Sequence, residues 1–152
     1  MTTDVPRLMT RSPLIPLAVA LLLGCSGTAA GRPRGEGPAR VRPGQEFRLR
    51  VGQRAAVKGG RFGVRFASVA NDSRCPPAVT CVWAGNAEVR VEAEAGGATA
   101  VLKLNTHGGD AYPKEARHGR YVVALVGLSP QPARGGGAKA ADYVVTLVIR
   151  KV

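Results

Sequence analysis

Residues 71–85 read NDSRCPPAVTCVWAG, and this stretch holds two of the three cysteines and the only tryptophan of the chain. The runs on both sides of it alternate apolar and polar residues, a period of two that is typical of half-buried strands. Two adjacent prolines and an Asn-Asp-Ser-Arg cluster interrupt that period. We therefore predict that residues 71–85 connect two strands and are closed by a disulfide, and we call them the stapled loop.

The alternation is clearest directly after the stapled loop. Residues 87–95 place alanine and valine on one face and charged residues on the other, and Gly96-Gly97 predicts a hairpin turn into residues 98–105. Before the loop, the pattern changes phase near Ala67 and Ser68, which indicates a β-bulge. The other predicted strands cover residues 46–51, 54–58, 61–69, 121–128 and 143–149.

Turn residues dominate the remaining segments, so residues 106–120 and 129–142 are predicted to be loops. A total of about seven short strands predicts an all-β fold, either an antiparallel β-sandwich of the immunoglobulin-like kind or a small barrel. Residues 45–152 suffice for one domain with a single core. The Cys…Trp…Cys spacing of true immunoglobulin domains is absent, because both cysteines fall in one loop.

The first 24 residues are typical of an export signal. A segment with two arginines precedes the apolar run 13–23, which is too short to cross a bilayer core of about 30 Å as a helix. The following Leu22-Leu23-Gly24-Cys25 resembles the lipobox of bacterial lipoprotein signals, with leucine at −3 and a small residue at −1. The resemblance implies cleavage before Cys25, a diacylglyceryl thioether on its sulfur and a location in the cell envelope. Ser26, in place of aspartate, favours the outer membrane.

After Cys25, residues 26–44 consist largely of Gly, Pro, Ala and Arg and contain almost nothing to bury. We predict that residues 25–44 form a lipidated, disordered basic tether, whose arginines lie near anionic headgroups. The formal net charge of the chain is +12, which attracts anionic polymers and membranes. Such bulk charge is non-specific and is also typical of arginine-rich chains from GC-rich genomes. The predicted partners are therefore the membrane, through the lipid, and an envelope protein or anionic polymer, with no specific nucleic acid.

Export places Cys75 and Cys81 in an oxidising compartment, and five residues separate them, so we predict that they form a disulfide. Three alternatives use the same region. A redox dithiol would normally be Cys-x-x-Cys at a helix N-terminus. A zinc site would need His107 and His118 beside both thiols. A calcium site would draw on Asn71, Asp72 and Asp110, which lack a recurring ligand spacing. We therefore predict no metal and no cofactor.

A catalytic set is not recognisable in the sequence. It contains neither G-x-S-x-G nor H-E-x-x-H, and Glu115, between His107 and His118, is the nearest approach to an acid/base group. We therefore predict no catalytic residues, and an envelope hydrolase is the weakest of the functional hypotheses.

A wider resemblance covers most of the domain. DSRCP…CVWAGNA at 72–87 resembles a motif of small exported bacterial lipoproteins of uncharacterised function. Further matching segments are FRLRVGQ at 47–53, VRFASV at 64–69, LNT at 104–106, YVVALVGLSPQP at 121–132 and DYVVTLVIRK at 142–151. The resemblance implies a shared β-rich fold but no activity, so it transfers no functional residues.

Two hypotheses about function follow. In the first, a lipid-anchored envelope protein uses its β-domain for binding or structure. In the second, the domain is a recognition or inhibitor module for a secreted partner, which the stapled loop contacts through Asp72, Ser73, Arg74 and Trp83. A purely structural role is open for the same cluster, with Arg74 paired to Asp72 or to a nearby carbonyl. Trp83 is expected to pack over the disulfide or to close one end of the core.

Overall fold

The computed structural model describes residues 37–133 and 138–152. The predicted signal at 1–24, Cys25 and the first part of the tether lie outside the described residues. The strands are β1 (Ala39–Val41), β2 (Glu46–Arg50), β3 (Arg54–Val57), β4 (Phe62–Ala70), β5 (Glu88–Ala95), β6 (Ala98–Asn105), β7 (Glu115–His118), β8 (Tyr121–Ser129) and β9 (Val144–Lys151), and a 3₁₀ helix covers Ala140–Asp142.

These strands form two sheets. Sheet A has the order β1-β3-β4-β5-β6, and sheet B has the order β2-β9-β8-β7. All neighbours are antiparallel except β1 and β3, which are parallel. The predicted all-β sandwich in one domain is confirmed, and the sheets do not close into a barrel. The consecutive order of β3 to β6 makes sheet A a meander, in which it differs from the A-B-E-D order of immunoglobulin constant domains.

The alternation seen in the sequence decides which side chains lie between the sheets. On β5, Val89, Val91 and Ala93 are fully buried, while the intervening charged residues lie on the outer face. Side chains of both sheets join one hydrophobic cluster. Phe62 of sheet A stacks on Tyr121 of sheet B with 4.3 Å between the ring centroids. The core is therefore the layer between the sheets, as two half-buried faces require.

The predicted β-bulge is present, because the β4–β5 register shifts between Phe66 and Ser68. The Gly96-Gly97 hairpin is also confirmed, with Ala95 paired to Ala98. A second register shift, between Leu125 and Gly127, was not predicted from the sequence.

Two segments differ from the sequence-based expectations. The ordered domain begins before the predicted boundary at residue 45, since β1 pairs with β3 and buries Val41. The predicted loop 106–120 contains β7, an edge strand that pairs with β8. Within residues 37–133 and 138–152, no helix has the length and apolar character needed to cross a membrane.

Candidate functional site: the stapled loop

The stapled loop links the end of β4 to the start of β5, and its two arms are hydrogen-bonded to each other. Ser73 N–H donates to the Asn86 carbonyl (2.8 Å), and Cys75 N–H donates to the Ala84 carbonyl (3.1 Å). Gly85 adopts φ +69°, and a Cβ built there would lie 1.8 Å from the Ser73 carbonyl oxygen. Only glycine therefore allows the arms to approach so closely. We call residues 72–75 and 84–85, together with the adjoining Asn86, the base of the loop and residues 76–83 its tip.

The predicted disulfide between Cys75 and Cys81 is present, with an Sγ–Sγ distance of 2.06 Å. It removes both thiolates that the zinc hypothesis required. Residues 82–87 lead directly into β5, so the helix N-terminus that activates a redox dithiol does not follow Cys81. In the described part of the chain, no cluster of three or more His, Cys, Asp or Glu side chains is arranged to hold a metal ion.

Arg74 anchors the base of the loop to the rest of the sandwich. Its guanidinium donates to both carboxylate oxygens of Asp72, at 2.8 Å from Nε and 2.7 Å from Nη2. The same group donates to the backbone carbonyls of Leu128 (2.7 Å) and Pro130 (2.8 Å), at the end of β8. The side chains of Arg74 and Asp72 are only 9% and 10% exposed. The pair therefore ties the loop, which emerges from sheet A, to sheet B.

Tyr143 completes this cluster, because its hydroxyl donates to Asp72 Oδ2 at 2.8 Å. Burial by itself would raise the pKa of Asp72, but the hydrogen bonds from Arg74 and Tyr143 outweigh it, so this pKa is lowered from its ordinary value. Burial raises the pKa of Tyr143, and the hydrogen bond to the Asp72 carboxylate raises it further. Asp72 is thus held as an anion and Tyr143 as a neutral donor.

Asn86 forms a second set of contacts at the base. Its Oδ1 accepts from the backbone N–H groups of Thr106 and His107, each at 3.1 Å. Its Nδ2 donates to Oδ1 of the buried Asn105 at 2.8 Å, and Asn105 Nδ2 donates to the Pro113 carbonyl at 3.3 Å. Neither Asn86 nor Asn105 was predicted as a site residue from the sequence. The one sequence feature that could have pointed to them is that they lie in the WAGNA and LNT segments, two of the segments that carry the wider resemblance. The fold brings these two segments together.

The tip of the loop is exposed and apolar. Val82 is 91% exposed and Trp83 is 81% exposed. The expectation that Trp83 packs over the disulfide or closes the core is therefore wrong. The backbone arms of the base bond to each other, and the indole next to them is left exposed to solvent. No residue from 75 to 87 is charged, in a chain with a net charge of +12.

The recognition residues expected from the sequence thus divide into two groups. Asp72 and Arg74 bond to each other and to the domain, and Ser73 Oγ bonds to Asn86. Of that predicted set, only Trp83 is free to meet a partner through an exposed side chain.

The other candidate residues do not assemble into a site. The Asp72 carboxylate accepts from Arg74 and Tyr143, so it is not available to the calcium hypothesis. Glu115 forms an exposed ion pair with Arg150 across sheet B. His118 Nε2 lies 3.1 Å from the Ala98 carbonyl oxygen, whereas the ring of His107 contacts the ring of Tyr112.

Comparison of the chain with protein-family profiles, with curated protein sequences and with solved structures returns no match.

Proposed function

We propose that this protein is a lipid-anchored component of the bacterial cell envelope whose β-sandwich is a recognition module. The stapled loop is its contact surface, and Val82 and Trp83 enter an apolar pocket of a partner protein. The observation that supports this most is the near-complete exposure of two adjacent apolar side chains on a loop whose base is tied down by Arg74 and Asn86.

The physical reason is the cost of ordering a binding surface. An exposed tryptophan is a frequent hot spot in interfaces, where its removal costs at least about 2 kcal/mol. A loop that is already fixed by a disulfide and by buried hydrogen bonds loses little conformational entropy when it docks. Such bracing benefits insertion into a shaped protein pocket. Insertion into a lipid surface does not require it, since lipid adapts its shape to the inserted side chain.

The envelope location rests on the leader sequence. Leu22-Leu23-Gly24-Cys25 supports lipidation at Cys25, which would hold the domain at a membrane through several acyl chains. The test is metabolic labelling with a clickable palmitate. We expect label on the wild type and none on Cys25→Ala, and label on both proteins would contradict the proposed anchor.

The recognition role is tested with a photo-crosslinking amino acid at position 82, used in intact cells to identify the neighbouring protein. That protein, once purified, is titrated against the full-length chain while the fluorescence of Trp83, the only tryptophan, is followed. We expect a blue shift on binding, because the indole leaves water. Trp83→Ala should weaken the dissociation constant, measured by calorimetry, by about 30-fold, equivalent to about 2 kcal/mol.

The matched control is Val126→Ala, since Val126 is an apolar side chain that is 52% exposed on β8. It should leave the affinity unchanged. Equal affinity of Trp83→Ala and the wild type would contradict the proposal. A blue shift produced by anionic vesicles alone would assign the tip to a lipid surface instead.

A further inference from the structure

We propose that a second site, separate from the exposed tip, binds a neutral oligosaccharide. It is a cavity of about 520 Å³ between the base of the stapled loop and the segment that follows β6. This volume lies within the range of small-molecule sites, about 300–1,000 Å³. Asn71, Lys103 and Tyr112 contribute to its lining, together with Glu88, Ala111 and Pro113.

The walls of this cavity are fixed by the bonds already described. Asn86 and Asn105 bond to each other, and Asn105 also bonds to Pro113, in both cases through buried or half-buried groups. Since these walls are held by hydrogen bonds within the protein, a ligand would meet a preformed surface and lose little conformational entropy in ordering it.

Unlike Asn86 and Asn105, three other side chains that line the cavity have unused hydrogen-bonding capacity. Asn71, Lys103 and Tyr112 form no side-chain hydrogen bond or ion pair with any residue in 37–133 or 138–152. Asn71 is also the single non-glycine residue of these ranges with a positive φ, at 52°. Side chains free to bond thus converge on one concave surface.

The combination of groups indicates the ligand class. An amide supplies both a donor and an acceptor, an ammonium supplies three donors, and a phenol supplies a donor or an acceptor. Neighbouring hydroxyl groups of a sugar bond to both hydrogen-bond donors and hydrogen-bond acceptors. Tyr112 is half exposed, and an aromatic ring has an electron-rich face of the kind that packs on the C–H groups of a pyranose.

Other ligand classes fit the cavity less well. Lys103 is the only cation in its lining, and the Glu88 carboxylate of the same lining is paired with Arg90, so the cavity offers a polyanion a single unpaired ammonium group. Single-stranded nucleic acid would require a basic groove that follows its phosphates. An acyl chain would leave the polar groups of Asn71, Lys103 and Tyr112 without hydrogen-bond partners.

The test uses the full-length, isotopically labelled protein in a detergent that has no sugar headgroup. Cellobiose, maltose and N,N′-diacetylchitobiose are titrated while amide chemical shifts are recorded. We expect at least one disaccharide to shift the amides of Asn71, Lys103 and Tyr112, with a dissociation constant at or below about 1 mM. No shift with any of the three at about 10 mM, or shifts confined to other regions, would overturn the proposal.

Two variants separate ring stacking from a change in structure. Tyr112→Ala should weaken disaccharide binding at least about tenfold, whereas Tyr112→Phe should weaken it less, because it keeps the aromatic face and loses only the hydroxyl group. An unchanged affinity for Tyr112→Ala would contradict the role of the ring. Trp83→Ala should bind the disaccharide as the wild type does. Absence of disaccharide binding would therefore not contradict the proposed role of the tip, and absence of a protein partner for the tip would not contradict the disaccharide site.

Discussion

The base and the tip of the stapled loop are adjacent in sequence but differ in burial, charge and hydrogen bonding. At the base, Asp72 and Arg74 are nearly buried, and each charged group has partners. At the tip, Val82 and Trp83 are almost fully exposed, and no residue from 75 to 87 in the sequence is charged. The difference shows that the residues that fix the loop to the domain are not the residues that it exposes to solvent. Changes at Asp72 and Arg74 should therefore alter stability, and changes at the exposed side chains of Val82 and Trp83 should alter binding alone.

The largest effect is expected at Arg74. Its replacement by alanine leaves the Asp72 carboxylate buried with only Tyr143 as a side-chain partner, and it also removes the link to β8. Breaking a buried ion pair by removing one partner costs about 3–5 kcal/mol. Urea unfolding of Arg74→Ala should show a loss of that size. Arg90→Ala, at an exposed ion pair with Glu88, is the control and should change stability by less than about 1 kcal/mol.

The next effect is expected for the disulfide. Replacing both Cys75 and Cys81 by serine frees a ring of short span, and the unfolded chain gains conformational entropy. The expected loss of unfolding free energy is about 2–3 kcal/mol, measured by urea unfolding without reductant. A loss at least as large as that of Arg74→Ala would show that the disulfide, and not the buried pair, is the main brace.

A smaller effect is expected on acidification. The pKa of Asp72 is lower in the folded state than in the unfolded state, so its contribution to stability is present above the unfolded value of about 4 and is lost as the pH falls through the folded value. The difference in unfolding free energy between the wild type and Asp72→Asn should therefore be largest near neutral pH and should shrink at about pH 3. A constant difference across this range would contradict the account of Asp72.

The smallest effect on stability is expected at the tip. Trp83→Ala removes a side chain that is 81% exposed, so the unfolding free energy should change by no more than about 0.5 kcal/mol. Thermal unfolding followed by circular dichroism would measure it. A loss of more than about 2 kcal/mol would mean that the indole packs against the domain.

The sequence predicted the fold well where one physical signal dominates. The alternation along β5 and the Gly96-Gly97 turn identified a hairpin, and the change of phase near Ala67 identified a bulge. β1 was not predicted, because it is three residues long, contributes only Val41 to the core and depends on pairing with β3. β7 was not predicted, because Glu115–His118 has no fully buried side chain and its sequence therefore shows little alternation of apolar and polar residues.

The candidate site was predicted only in part. Cysteine spacing and export indicated the disulfide, and short polar residues indicated a turn. The position of Trp83 could not be read from its hydrophobicity, because burial of an indole in a loop depends on the path of the backbone. That path is decided by long-range contacts from Arg74 to Leu128 and from Asn86 to Thr106. Local sequence carries no record of such contacts.

Acrylamide quenching of the single tryptophan is the most direct test of an exposed tip on a fixed base. In the native protein, the account predicts red emission typical of a hydrated indole and a quenching constant close to that of the unfolded chain. Blue-shifted native emission that resists quenching until the protein unfolds would contradict it.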